Sequence, residues 1–374
     1  MAKNFFLFKK LENTKYKSMF LIVIGGYLLL VITVYFLQRS LQYFPSGTAI
    51  LPANFQEKKI ITDDQVELLI WENIPKDYKK IIVYFHGNAG NLSDRSYRFE
   101  TFINNGYGVV ALSYRGYYGS NGKPSEAGFI LDAQAVLKYL QNQKYSKNDL
   151  ILFGESIGSG VVCQIAQNKI LPTQDKILQK QIAKNQALTN QNFLNNNSSN
   201  IDSLNKNSSN PNFSSENSSS QNSSNLNSNI NNSTNPSIIS KENNSKNSIA
   251  VENPSSQNSI TNSINTSTTS NSDDFFMTIL ESPFYSIVEI AQKTYPILPV
   301  KLMLKDRFDS HLFAPYITSK VLIFHGDQDQ VVSLSSGQKL YNTITSKKKF
   351  LELQGASHVD TNPEFIIQQI EEFR

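Results

Sequence analysis

Five short runs of β-branched and aromatic residues punctuate the chain, each closing on glycine or another turn former. They are Ile81–Gly87 (IIVYFHG), Tyr107–Gly116 (YGVVALSYRG), Leu150–Ser156 (LILFGES), Phe276–Pro283 (FMTILESP) and Val321–Asp329 (VLIFHGDQD). Runs this short and this apolar predict strands buried on both faces. Between them, Pro124 to Gln141 carries apolar residues at helical spacing, with Pro124 at a first-turn position, and Ile157 to Gln167 repeats that spacing. A later apolar run, KKFLELQG, ends at Gly355. Strands alternating with helices imply a parallel sheet covered on both faces, with reactive groups beyond the carboxyl ends of its strands.

A different pattern opens the chain. Met19 to Leu37 is nineteen residues without a charge, about 28 Å as a helix against a hydrocarbon layer of about 30 Å. A cleaved signal would have an apolar region of roughly 7–15 residues and a small-residue cleavage site, which the following QRSLQYFPSG does not offer. The pattern predicts a basic tail over 1–18 and a retained transmembrane helix over 19–37. Lys3, Lys9, Lys10, Lys15 and Lys17 precede the span, opposed by Glu12, and Arg39 is the immediate basic residue after it. The excess of lysines predicts a single-pass protein with a cytosolic N-terminus, in the secretory pathway or the plasma membrane.

Composition divides what remains. Residues 172–272 are dominated by Asn and Ser, too polar to bury the surface that would offset their ordering entropy, and are expected to be a disordered insertion. Its sequons, such as those at Asn207 and Asn217, arise freely in such a composition. Two parts, 43–171 and 273–374, are left to form one globular domain with a core of ample size. The insertion falls between a helix and a strand, at the sheet edge opposite the reactive groups, where closure entropy grows only as the logarithm of loop length. Cys163 is the single cysteine, which excludes an intrachain disulfide and a thiolate metal cluster within one chain. The net charge of +4 is carried by dispersed lysines, which excludes a nucleic-acid surface.

The chemistry centres on Gly154, Ser156 and Gly158, a G-x-S-x-G pattern that lifts a serine on a sharp turn between strand and helix. A serine hydroxyl needs a base, and the base needs a carboxylate to fix its tautomer. Folds with this turn place them in the order Ser, acid, His. Asp327 and Asp329 follow a predicted strand, Glu281 is a weaker third carboxylate, and His358 follows them all. His86 and His325 each precede a glycine at a strand end, where turn packing explains them, and His311 has no strand context. HGNAGN, His86 to Asn91, can supply an oxyanion donor from the backbone of Asn88, with Ala89 as the alternative, beside the N–H of Ile157. No phosphate-loop pattern occurs there. Arg115 reads as a structural partner for a carboxylate, and Cys163 as core packing.

Together HGNAGN, YRGYYGSNGKPSE, GESIGSG, ESPF, FDS, HGDQDQVV and GASH resemble the bud-emergence family of membrane-anchored α/β-hydrolase-domain proteins, over about residues 60 to 374 apart from the insertion. The resemblance implies an α/β-hydrolase fold, a mostly parallel sheet flanked by helices, with a small cap over 283–313. It also implies Ser156 as nucleophile, His358 as base and Asp329 as acid. Where some relatives have acylated cysteines near the N-terminus, this chain has none before Cys163, and a spanning helix takes their place. The expected activity is cleavage of an ester or thioester in a lipid or an acylated protein, with no cofactor. A serine peptidase of the same fold and a catalytically silent membrane scaffold are the competing readings. Protein partners are not specified by the sequence.

Overall fold

A computed structural model describes residues 2–167 and 273–374; the Asn/Ser insertion predicted over 172–272 lies outside them. An unbroken helix, α1 (Ala2–Leu37), leads into the short strand β1 (Phe44–Pro45) and a hairpin of β2 (Gln56–Ile61) and β3 (Glu67–Asn73). Next come β4 (Ile81–Phe85), β5 (Ala89–Gly90), α2 (Ser96–Asn104), β6 (Gly108–Ser113), α3 (Glu126–Asn142), β7 (Leu150–Glu155) and α4 (Ile157–Ile165). After the insertion follow β8 (Met277–Glu281), α5 (Ile287–Thr294), α6 (Val300–Met303), β9 (Lys320–Gly326), α7 (Leu334–Thr343), β10 (Lys348–Leu353) and α8 (Pro363–Phe373).

Eight strands form one sheet in the order β10-β9-β8-β7-β4-β6-β3-β2. From β10 to β6 every pairing is parallel; β3 and β2 add an antiparallel edge. All five runs read from the sequence are central strands of this sheet, and their lack of polar alternation has a direct cause. Side chains of β4 alternate between two cores, Ile81, Val83 and Phe85 on one face, Ile82 and Tyr84 on the other. Phe129 and Val136 of α3, Val161 of α4 and Leu340 of α7 cover the first face. Phe99 and Phe102 of α2 with Ile366 and Ile370 of α8 cover the second. Each such large side chain contributes about 1.5–3 kcal/mol on burial, so the doubly covered strands fix the frame that carries the site.

Helix α3 begins two residues later than its spacing implies. Ser125 is the N-cap, accepting the Gly128 N–H at 3.1 Å, so Pro124 precedes the cap instead of occupying the first turn. Arg115 is buried and structural, as expected: its guanidinium donates to Asp132 at 2.7 Å and to Asp64 at 2.9 and 3.0 Å. Cys163 is buried in the first core, and burial pushes its thiol up to about 12. Within α1, Tyr16–Leu37 is long and apolar enough to cross a membrane.

The last described residue before the insertion and the first ones after it meet one short stretch. Gln167 forms an antiparallel bridge with Ile317, and Asp274 accepts the Thr318 hydroxyl at 2.7 Å.

Candidate active site

Ser156 sits between β7 and α4 with φ 50° and ψ −113°, a backbone region that a non-glycine residue enters only under constraint. Two contacts impose it. The Ser156 N–H donates to the Glu281 carbonyl of β8 at 2.9 Å, and the flanking glycines remove what would collide. A Cβ on Gly158 would lie 2.0 Å from the Phe85 carbonyl oxygen, and one on Gly154 2.6 Å from that of Gly158. The turn exists because strand, helix and β4 approach more closely than any side chain allows.

Asp329 follows β9 and His358 follows β10, so the ends of β7, β9 and β10, with β8 between the first two, deliver three groups to one place. Nε2 of His358 is 2.9 Å from the Ser156 Oγ, and Nδ1 is 2.7 Å from Asp329 Oδ2. An ionised carboxylate only accepts, so Nδ1 carries the proton and Nε2 is left to accept from the serine hydroxyl. Burial would raise the Asp329 pKa, but the His358 hydrogen bond and the N–H groups of Val332 and Val331 outweigh it and hold the carboxyl below its ordinary value. Val359, next to His358, has φ 51°, a β-branched residue in the left-handed region, and its N–H donates to Ser282 Oγ at 3.3 Å. That strained link fixes the loop presenting the imidazole.

The other sequence candidates do not join this hydrogen-bonded line, although His325 Nε2 lies 3.5 Å from Asp329 Oδ2. Asp327 accepts the Gly355 N–H at 2.7 Å, and Glu281 pairs with Arg98 and accepts the Thr361 N–H. His325 is buried, with Nε2 2.9 Å from the Val332 carbonyl, and burial lowers its pKa. His86 is fully buried, which lowers its pKa to about 4, and His311 stacks on Tyr285.

Glu155, directly before the serine, carries no sequence signal of its importance. Its buried carboxylate pairs with Arg95, accepts the Tyr84 hydroxyl, and takes the Gly87 N–H at 3.2 Å. Burial opposes ionisation, but the adjacent Arg95 and Arg98 hold the carboxyl at about 2. The charge thus ties the serine turn to the HGNAGN loop. That loop is fixed on its other side: the Asn88 carbonyl accepts the Phe44 N–H at 2.8 Å and the Tyr117 hydroxyl at 2.7 Å.

Ser156, Ile157 and Asn88 open onto a largely apolar cavity of about 420 Å³. Phe284, Leu298 and Met303 line it, while Ile297 and Leu302 of the same segment are 70% and 89% exposed. Val34 and Gln38, one in α1 and one just beyond it, line it too, with Leu41 and Gln42. Read from the sequence, α1 is a tether; that its end contributes a wall emerges only from the structure.

The family model for the alpha/beta hydrolase fold matches residues 80–361, and the chain belongs to that family. The bem46 protein of Schizosaccharomyces pombe is 32% identical over 161 residues, 38% of this chain and 52% of that protein, which bears out the resemblance to the bud-emergence family. A Xenopus tropicalis protein named lysophosphatidylserine lipase ABHD12 is 32% identical over 108 residues, 28% of each chain. The matched region thus spans about half, or less, of these relatives. Among solved structures, the Pyrococcus furiosus esterase Pf2001 aligns with a TM-score of 0.50 at 14% identity, covering 88% of this chain and 97% of that one, a likeness of fold alone.

Proposed function

We propose that the protein is a membrane-anchored serine hydrolase that cleaves carboxylic esters or thioesters through an acyl-Ser156 intermediate. The observation that carries this reading is the hydrogen-bonded line from Asp329 through His358 to Ser156 at the mouth of an apolar cavity. In the proposed reaction His358 Nε2 takes the hydroxyl proton as Ser156 Oγ attacks the acyl carbon, and Asp329 steadies the imidazolium. The backbone N–H groups of Ile157 and Asn88 receive the oxyanion. The imidazolium then protonates the leaving group, and a water activated by the same imidazole hydrolyses the acyl-serine.

A lipid or an acylated protein is the proposed substrate class. A cavity of about 420 Å³ lined by aliphatic side chains suits a hydrocarbon chain, and ABHD12, a relative by sequence, is named as a lipase. In this reading α1 crosses the membrane over residues 19–37 with its lysine-rich start on the cytosolic side. The hydrolase domain comprises 43–171 and 273–374, capped by 283–313.

Covalent labelling of the folded full chain by a fluorophosphonate probe tests it. Wild type is expected to label and Ser156→Ala to be silent. Folded wild type that does not label removes the proposal and leaves the scaffold reading; a mutant that still labels puts the reactive group elsewhere and removes Ser156 as nucleophile. Turnover of ester, thioester and peptide substrates then separates hydrolase from peptidase.

A further inference from the structure

The seam between α1 and the segment carrying α5 and α6 bears on which phase the cavity opens to. Tyr27, Val31, Val34 and Gln38 follow one another at steps of four, three and four, and so share one helix face. That face is engaged along its length. The Tyr27 hydroxyl donates to the Ile297 carbonyl at 2.9 Å, and Val34 borders the cavity. Gln38 donates to the Met303 carbonyl at 3.2 Å and accepts the Lys305 N–H at 2.7 Å. The segment therefore runs beside the helix for about 16 Å, taking a rise of 1.5 Å per residue from Tyr27 to Gln38.

Lys15 and Lys17 limit where the hydrocarbon layer can lie. Sliding the span toward the N-terminus would bury them, so a layer about 30 Å thick needs the uncharged stretch Met19–Leu37. Tyr27 then stands near its middle, and whatever touches Tyr27 shares its surroundings. At the other end the Arg39–Asp306 pair, 2.7 Å apart, and Lys305 over the Tyr35 ring mark the level where charge returns.

The turn beside Tyr27 has the chemistry for that place. Ile297 and Leu302 point outward, the latter almost fully exposed, and Tyr295 is half-exposed at the cavity's edge. Pro296 and Pro299 carry no N–H, and those of Tyr295, Leu298, Val300 and Leu302 donate to carbonyls within the segment or α5. Hydrocarbon tolerates irregular backbone when its polar groups are largely satisfied in this way, and of the turn's non-helical donors the Ile297 N–H alone has no backbone acceptor among the described residues. Lys293 and Lys301 are exposed, on stems long enough to carry their ammonium groups toward the head groups.

Resting on the hydrolase reading above, we propose that the turn Tyr295–Leu302 is seated in the hydrocarbon of the leaflet into which the C-terminal half of α1 projects. The Ser156 cavity then takes the acyl chain of an ester resident in that leaflet. Val34, Tyr295 and Leu298 belong both to the seam and to the cavity wall, so a chain passes from leaflet to serine without crossing water.

The test uses the full chain, carrying Cys163→Ala, in phosphatidylcholine vesicles. Ile297→Cys bearing an environment-sensitive nitrobenzoxadiazole dye is compared with the same dye at Gln143→Cys, an exposed position just past α3. Doxyl-labelled phosphatidylcholine is expected to quench the Ile297 dye at least twofold and spare the Gln143 dye, with aqueous iodide doing the reverse. An Ile297 dye that iodide quenches and doxyl lipid does not overturns the seating. In a second arm, Ile297→Glu combined with Leu302→Glu is expected to lower kcat/KM at least tenfold for a long-chain ester in vesicles. Hydrolysis of soluble p-nitrophenyl butyrate stays within twofold, since neither side chain lines the cavity. Long-chain turnover within twofold of wild type overturns entry from the leaflet. Wild type that cleaves neither ester refutes the hydrolase reading and leaflet entry with it, while the quenching still decides the seating.

Discussion

Asp327 and Asp329 stand two positions apart after the same strand, and their hydrogen bonds separate them. Asp329 spends one oxygen on His358 and the other on two backbone N–H groups, whereas Asp327 closes a turn with Gly355. Asp329→Asn is expected to cut turnover by a factor of about 10²–10⁴, because an amide facing Nδ1 favours the wrong tautomer. Asp327→Asn is expected to stay within a few-fold; equal losses in steady-state assays of the two would remove the assignment. Glu155 leads to a prediction in pH. Its carboxyl falls from an ordinary 4.5 to about 2 on folding, so it contributes about 3 kcal/mol of stability. For a depressed pKa that stability is present above the unfolded value and is lost as pH falls toward the folded one. Glu155→Gln, which strands Arg95, is expected to lower the unfolding free energy by about 3 kcal/mol at pH 7. In urea titrations more than half of that gap should close by pH 3, and a constant gap would count against the ion pair. This pair carries no sequence signal, since its members lie sixty positions apart and meet only because Glu155 ends β7 and Arg95 caps α2, the helix that covers one face of the sheet.

Between β7 and α4 the turn depends on a missing atom at Gly158, since the obstacle is the Phe85 carbonyl, part of the central strand and unable to swing aside. Gly158→Ala is expected to cost about 2–3 kcal/mol as overpacking, or roughly 5–10 °C in melting temperature, and to abolish fluorophosphonate labelling. Gly47→Ala, where a Cβ meets nothing within 4 Å, should change neither; a Gly158→Ala protein that melts like wild type would refute the close approach. Elements buried on both faces were legible because nothing in them alternates. The hairpin of β2 and β3 was not read. β2 lies at the edge of the sheet with most of its side chains exposed, so QEKKII shows no apolar run. β3 packs Leu68 to Trp71 into both cores but is bounded by charged residues without a glycine to end it. α2, α7 and α8 escaped for a related reason: each lays a narrow apolar stripe on the sheet and keeps the rest polar.

For the whole molecule the open question is how a fold accepts about a hundred inserted residues between α4 and β8. The described ends suggest a physical answer. Gln167 and Asp274 are held by adjacent residues, Ile317 and Thr318, and the Phe276 N–H donates to the Leu150 carbonyl at the start of β7. These contacts lie where the central strands begin, whereas Ser156, Asp329 and His358 stand beyond where theirs end. The Asn/Ser-rich composition of the chain between the two anchors predicts an insertion with no geometric role in closing the sheet, whose cost is the entropy of tying its ends together. Replacing residues 172–272 by a ten-residue Gly/Ser linker is expected to remove about 2 kcal/mol of that cost, leaving melting temperature unchanged or slightly raised. Fluorophosphonate labelling of Ser156 should keep its rate. A shortened chain that folds but labels more than tenfold slower would assign the insertion a part in the site. One that melts well below wild type would mean the two anchors do not meet as closely as these contacts require.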